Sequence, residues 1–156
     1  MQKITTCLFF DGKAQDAVDF YKSVFKNFKI NQTSHYGDHG PMAKGSVMTV
    51  IFEIDGQKFM ALNGPPIFKF SPAISLMVNC ETQQEIDHYW DSLSAGGSTQ
   101  QCGWLTDKFG VSWQIVPPIL GEYLNDADDE KSGCVMQAML KMDKLNIKKL
   151  KQAYEG

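Results

Sequence analysis

Apolar residues recur at Ala14, Ala17, Val18, Tyr21, Val24, Phe25 and Phe28, a three-and-four spacing that gives a helix one buried face. A β-rich run at 4–10, closed by Asp11-Gly12, precedes it. Residues 28–36 read as a strand, followed by the polar, Gly-rich loop 37–41, and 45–54 reads as a long strand. Asp55-Gly56 is a hairpin signal, because a tight two-residue turn needs positive φ, and 58–62 returns as the next strand before Asn63-Gly64-Pro65-Pro66 ends it. The order predicted for the first half is βαβββ. A strand at 73–78 opens the second half. Thr82-x-x-Glu85 follows as a capping box, with the apolar stripe Ile86, Tyr89, Trp90, Leu93 behind it and Gly96-Gly97 at its end. Short strands at 98–101, 104–106 and 112–116, the last two joined by Asp107-Lys108-Phe109-Gly110, complete a second βαβββ.

The halves read as copies. A shift of 68 positions lays Val18, Asp19 and Tyr21 on Ile86, Asp87 and Tyr89, Leu8 on Leu76 and Phe25 on Leu93. Beyond Pro117-Pro118, helical spacing takes over at 119–124, 134–142 and 145–154, a tail expected to pack across a subunit or partner surface. Asp126, Asp128, Asp129 and Glu130 stand where a helix dipole favours anions, and they read as helix chemistry and not as a calcium loop.

Composition narrows the function classes. The chain has 156 residues, 43% hydrophobic and 21% charged, the profile of a globular protein with one core or two small similar halves. A net charge of -3 lacks the basic footprint of a nucleic-acid binder. No apolar run spans a bilayer, and the start of the chain lacks an unbroken apolar stretch, so a cytoplasmic protein is expected. Cys7, Cys80, Cys102 and Cys134 form no C-x-x-C pair, and His35, His39 and His88 are too few and too scattered for a histidine metal cage. Zinc-protease, dinucleotide, P-loop and serine-hydrolase motifs are absent.

Four segments carry a resemblance: Asp11-Gly12 through Asp19-Phe20-Tyr21 to Phe25; Ala73-Ile74-Ser75 through Gly96-Gly97; the stretch from Thr106-Asp107-Lys108-Phe109-Gly110 to Ile115; and the ending 150–156. With them the chain resembles the vicinal oxygen chelate superfamily of glyoxalases, extradiol dioxygenases and bleomycin-resistance proteins, in its PhnB-like branch. The resemblance implies an α+β fold of two βαβββ modules forming a barrel-like cavity, with a C-terminal helical tail and a homodimer. It implies a single domain over 1–156, with modules at 1–66 and 67–117 and the tail at 118–156. Sequences of this kind often carry the label 3-demethylubiquinone-9 3-methyltransferase, but no S-adenosylmethionine-binding glycine loop follows a strand here.

Metal-using members supply one ligand from the first and last strand of each module. Carried over, these positions fall on Thr6, Ala61, Ala73 and Gln114, with Thr5 and Met60 as alternatives for the first two. Alanine has no donor and threonine is a poor ligand, so the expected metal site is lost and no cofactor is expected, a divalent ion entering only through other ligands. The cavity then stands as the candidate binding site, with Thr6, Asn63, Ser75, Cys102, Trp104, Trp113 and Gln114 around it. Each has a plainer reading. Gln114 can be the outward residue of an alternating strand, Asn63 a turn residue, Trp104 and Trp113 core, and Cys102 an unactivated thiol.

Three functions follow as expectations, without fixing whether the chain is an enzyme. The first is metal-independent binding of a small molecule between the modules. The second, its alternative, is a lyase, isomerase or dioxygenase using a divalent metal on non-standard ligands, and the methyltransferase of the label stands beside the three as a lesser alternative. The third is an interaction role for the tail. Substrate and pathway are not written in these residues.

Overall fold

The computed structural model describes residues 3–156. Its elements run β1 (Thr6–Asp11), α1 (Ala14–Val24), β2 (Phe28–His35), β3 (Val47–Ile54), β4 (Gln57–Gly64), β5 (Ser75–Asn79), α2 (Gln83–Ser94), β6 (Ser98–Thr99), β7 (Trp104–Thr106), β8 (Ser112–Val116), α3 (Pro118–Leu124), α4 (Asp129–Met139) and α5 (Ile147–Glu155). The expected α+β chain with βαβββ twice and a helical tail is what forms. It divides into two compact units, one ending at Lys69 and the other running Phe70–Gly156. No helix among the described residues is long and apolar enough to cross a membrane.

In the first unit the strand order is β1-β4-β3-β2, with β1 parallel to β4 and the other pairs antiparallel. Asp55 and Gly56 both take positive φ, 48° and 79°, which is what the two-residue turn between β3 and β4 demands. Ala14, Ala17, Val18, Tyr21 and Val24 are the buried face of α1. The helix stops before the apolar spacing does, because Phe25 is already extended and Phe28 begins β2. Phe52 stacks between Phe28 and Phe59, each ring centroid 5.4 Å away, at the centre of this core.

Asn63 corrects an expectation. It does not end β4 as a turn residue but lies within it, 5% exposed. Lys13 at the N-cap of α1 offers no side-chain bond, and Asn63 Oδ1 takes its place, accepting from the Ala14 amide at 2.8 Å. Asn63 Nδ2 donates to the Val47 carbonyl at 3.0 Å, and Tyr36 donates its hydroxyl to the Asn63 carbonyl.

The second unit repeats the topology as β5-β8-β7-β6, with β5 parallel to β8. The capping box forms as expected: Glu85 N–H donates to Thr82 Oγ1, and Glu85 Oε2 accepts from the Thr82 amide. Ile86, Trp90 and Leu93 are buried on α2, and Leu105, Trp113 and Ile115 are buried on the sheet side that α2 packs against. In the turn after β7, Asp107 Oδ1 accepts from the amides of Phe109 and Val111 at 2.8 and 3.1 Å, and Oδ2 accepts from Trp113 Nε1 at 2.9 Å. Cys80 is fully buried next to this core, and burial, reinforced by the negative charge of Glu85, pushes its thiol up to about 12.

The tail packs part of its apolar surface against itself and leaves Met136 and Leu140 exposed. Leu120, Val135, Leu145 and Leu150 form a core of its own, with Tyr123, Met139, Met142 and Tyr154 packed around it. Asp128 caps α4 by accepting from the Glu130 and Lys131 amides, as the acidic run predicted. Gln83 of α2 ties the tail down, donating to the Leu145 carbonyl at 3.1 Å and accepting from the Ile147 amide at 2.9 Å. Lys144 adds ion pairs to Asp91 and Asp87 at 2.9 and 3.2 Å.

Tyr154 of α5 stacks on Tyr123 of α3 and donates its hydroxyl to Asp126 Oδ2 at 2.6 Å. That bond holds the Asp126 carboxyl below its ordinary range and raises the Tyr154 phenol above its own. The lowered carboxyl contributes stability that is present above the unfolded carboxylate value and lost as pH falls through the folded one. The raised phenol contributes stability present below its unfolded value and lost as pH rises through the folded one. Protection of the α5 amides from hydrogen exchange is therefore expected to be flat across neutral pH and to fall at both acid and strongly alkaline pH. Tyr154→Phe should lower it at pH 7 and remove the acid step; an acid step that persists in the variant would assign it to other groups.

Candidate functional site

With α2 on one side of the second sheet, strand alternation puts a defined set of side chains on the other. Ser75, Met77 and Asn79 of β5 pair with Ser112, Gln114 and Val116 of β8, and Gln114 and Ser112 pair in turn with Trp104 and Thr106 of β7. At one end of this open face the tail adds a wall. Leu120, Leu124 and Met139 join Met77, Asn79, Cys102, Trp104, Gln114 and Val116 around a groove of about 380 Å³. No charged residue lines it.

Gln114 reaches diagonally across to β5, where its Nε2 donates to Ser75 Oγ at 2.8 Å. Cys102 is held to the tail by its amide, which donates to the Met142 carbonyl at 2.7 Å, and by its thiol, which donates to the Met139 carbonyl at 3.8 Å, while Gly103 N–H donates to the Asp143 carbonyl at 2.8 Å. The corner takes φ values of 62° at Cys102 and 80° at Gly103. Only glycine fits the second position, since a Cβ there would lie 2.6 Å from the Ile115 carbonyl oxygen. No histidine lines the groove to activate the Cys102 thiol.

Ser112 is the exception in an otherwise satisfied interior. It is 3% exposed, and its hydroxyl is the buried side-chain polar atom without a hydrogen-bond partner among the described residues. Leaving such a group unmade costs about 1–3 kcal/mol. Ser112→Ala is accordingly expected to leave the urea midpoint of the second unit unchanged or raise it. A lower midpoint that corresponds to a stability loss of more than about 1 kcal/mol would mean that the hydroxyl has a partner.

Of the residues singled out in the sequence, Ser75, Cys102, Trp104 and Gln114 meet on this face. Trp113 does not. Alternation turns it to the α2 side, where it is 2% exposed and bonded to Asp107. Asn63 is committed to Ala14 and Val47 in the first unit. Thr6 pairs with Phe59 and shares the register face of the buried Leu8 and Phe10. Met77, Asn79 and Ser112 were missed, although counting by twos from Ser75 and Gln114 reaches all three. Leu120, Leu124 and Met139 gave no comparable signal, because only tertiary packing brings the tail to the sheet.

The residues at the four positions implied for a metal do not fit a divalent ion. Ala61, opposite Leu8, is fully buried on the α1 side, Thr6 lies on that same side, and Ala73 sits in an exposed turn ahead of β5. Gln114 alone has a donor on an open face, and divalent ions require several oxygen or nitrogen ligands. Among the described residues no group of three or more His, Cys, Asp or Glu side chains is placed to hold a metal ion.

The repeated topology matches known proteins. Residues 2–116 match the family described as 3-demethylubiquinone-9 3-methyltransferase. The chain belongs to that family. A PhnB protein from Bacillus cereus, described as a 3-demethylubiquinone-9 3-methyltransferase, is 41% identical with a TM-score of 0.69, over 74% of this chain and 99% of that one. Protein PA1353 from Pseudomonas aeruginosa is 22% identical with a TM-score of 0.63, over 74% and 96% of the two chains. The fosfomycin resistance protein FosX from Listeria monocytogenes, 15% identical with a TM-score of 0.57 over 80% and 98%, shares the fold, that of the vicinal oxygen chelate superfamily. No curated protein matches the sequence. The match to the 3-demethylubiquinone-9 3-methyltransferase family stops at residue 116, so the ending 150–156 lies outside it, and so do the helices that wall the groove.

Proposed function

We propose that this PhnB-like chain binds a small uncharged molecule in the groove on the open face of its second sheet, without a resident metal. The observation that carries the reading is Gln114. It occupies the implied metal-ligand position on the last strand, yet its amide is spent on Ser75 in a groove without charge. An apolar concavity with a few fixed polar groups is the usual form of a small-molecule site.

Native mass spectrometry of freshly purified protein, set against its denatured mass, tests this. The expected spectrum shows an organic increment, and the released molecule has the same mass after prolonged incubation. Gln114→Leu should weaken its retention by about tenfold, the worth of one well-placed hydrogen bond. An increment matching a divalent ion, with activity that rises on metal addition, would replace this reading with a metal-dependent lyase or isomerase. Transfer of a labelled methyl group from S-adenosylmethionine would replace it with the activity in the family's name. The proposal includes a cytoplasmic location and a homodimer, the homodimer supported by the exposed Ile67, Phe68 and Ile74, and the same spectrum reads the dimer directly.

A further inference from the structure

We propose that a row of hydroxyls across the second sheet, Ser75, Ser112, Thr106 and Ser98, receives a neutral carbonyl or hydroxyl oxygen whose apolar body lies in the adjoining groove. The proposal rests on the groove being a binding site and adds the class of molecule that fills it.

Register builds the row. Ser75 pairs with Ser112, Ser112 with Thr106, and Thr106 with Ser98, so each of the four strands contributes one hydroxyl at the same level of the same face. Two carboxamides hold its ends. Gln100 Nε2 donates to Ser98 Oγ at 3.1 Å and to Thr106 Oγ1 at 3.5 Å, and Gln114 Nε2 donates to Ser75 Oγ at 2.8 Å. The centre is left over, because Ser112 is buried and its hydroxyl has no partner. A buried donor without an acceptor is what a site looks like when the group it was built for is a ligand atom.

The remaining geometry sets the ligand's character. Gln114 is opposite Met77 and two residues along β8 from Ser112, and its amide runs back to Ser75, the β5 end of the row and the residue opposite Ser112. A ligand oxygen that accepts from the Gln114 amide in place of Ser75 Oγ frees the Ser75 hydroxyl, next to that of Ser112. Row and groove contain hydroxyls, carboxamides and apolar groups but no cation to neutralise an anion and no carboxylate to hold an ammonium group. Burying an unpaired charge there is costly, whereas a neutral oxygen is matched. Beyond Gln114, Met77, Trp104, Leu120 and Met139 provide an apolar bed.

Three probes with one ring system separate the terms: naphthalene, 1-naphthol and 1-naphthoate, titrated into the full-length protein and followed by backbone amide NMR shifts. The β7, β8 and α3 amides are expected to move with 1-naphthol, which should bind roughly five-fold tighter than naphthalene, with 1-naphthoate weakest. Ser112→Ala should erase the advantage of 1-naphthol and leave naphthalene binding unchanged. If 1-naphthoate binds tightest, or Ser112→Ala leaves the 1-naphthol to naphthalene ratio intact, the hydroxyl row is not the recognition element, although the groove stands. If no probe moves those amides, the groove itself fails as a site and the row with it.

Discussion

Asp107→Ala is expected to destabilise the second unit by about 3–5 kcal/mol, a large part of what a domain of this size has. The carboxylate accepts from two turn amides and from the indole of Trp113, and the residue is 2% exposed, so water cannot replace it. Alanine leaves two buried donors, the Val111 amide and the Trp113 indole, and the part-buried Phe109 amide without their acceptor. Asp107→Asn separates the parts. Its oxygen still serves the Phe109 and Val111 amides, but its NH₂ faces the Trp113 N–H, donor to donor, and roughly half of the loss is expected. Trp90, Trp104 and Trp113, the three tryptophans of the chain, all lie in the second unit, so urea unfolding read by tryptophan emission reports it directly. A loss under about 1 kcal/mol for the alanine variant would show that the turn is held by its backbone alone.

The second large effect is in the first unit. Asn63→Ala should cost about 2–4 kcal/mol, because it orphans the Ala14 amide at the start of α1 and the Val47 carbonyl at the start of β3. Hydrogen exchange of the α1 and β4 amides is the readout, with protection expected to fall there and to hold in the second unit. Asn63→Asp keeps an acceptor for Ala14 but turns an oxygen toward the Val47 carbonyl, and it should be destabilising as well. Wild-type protection in both variants would reduce Asn63 to a bystander.

These two residues mark where the sequence could and could not be read. The repeated βαβββ order, the capping box at Thr82 and Glu85, and the Asp55-Gly56 turn are local devices, legible because chemistry and conformation sit within a few residues. Asn63 was legible as an asparagine before Gly-Pro-Pro, which is turn chemistry, yet its partners are 49 and 16 residues away. Trp113 and Gln114 are neighbours that face opposite sides of one strand, and without knowing which side α2 covers, alternation fixes only that they differ. Ser75 was reached because it stands beside an implied ligand position, and Cys102 and Trp104 because the resemblance puts them near the cavity mouth. The groove's far wall was not, since Leu120 and Met139 carry no mark beyond helical spacing.

The parallel pairing at the heart of each unit also bears on how the chain folds as it is made. Strand β1 finds its partner only when β4 exists, a separation of about 50 residues, against about 40 between β5 and β8. The difference in closure entropy is only about 0.3 kcal/mol, too small to rank the two units. Emergence ranks them instead. On the ribosome β1 has no sheet to join until residues 57–64 have cleared the exit tunnel, and the β2–β3–β4 meander can form without it, so β1, made before its three partners, is the last to enter their sheet.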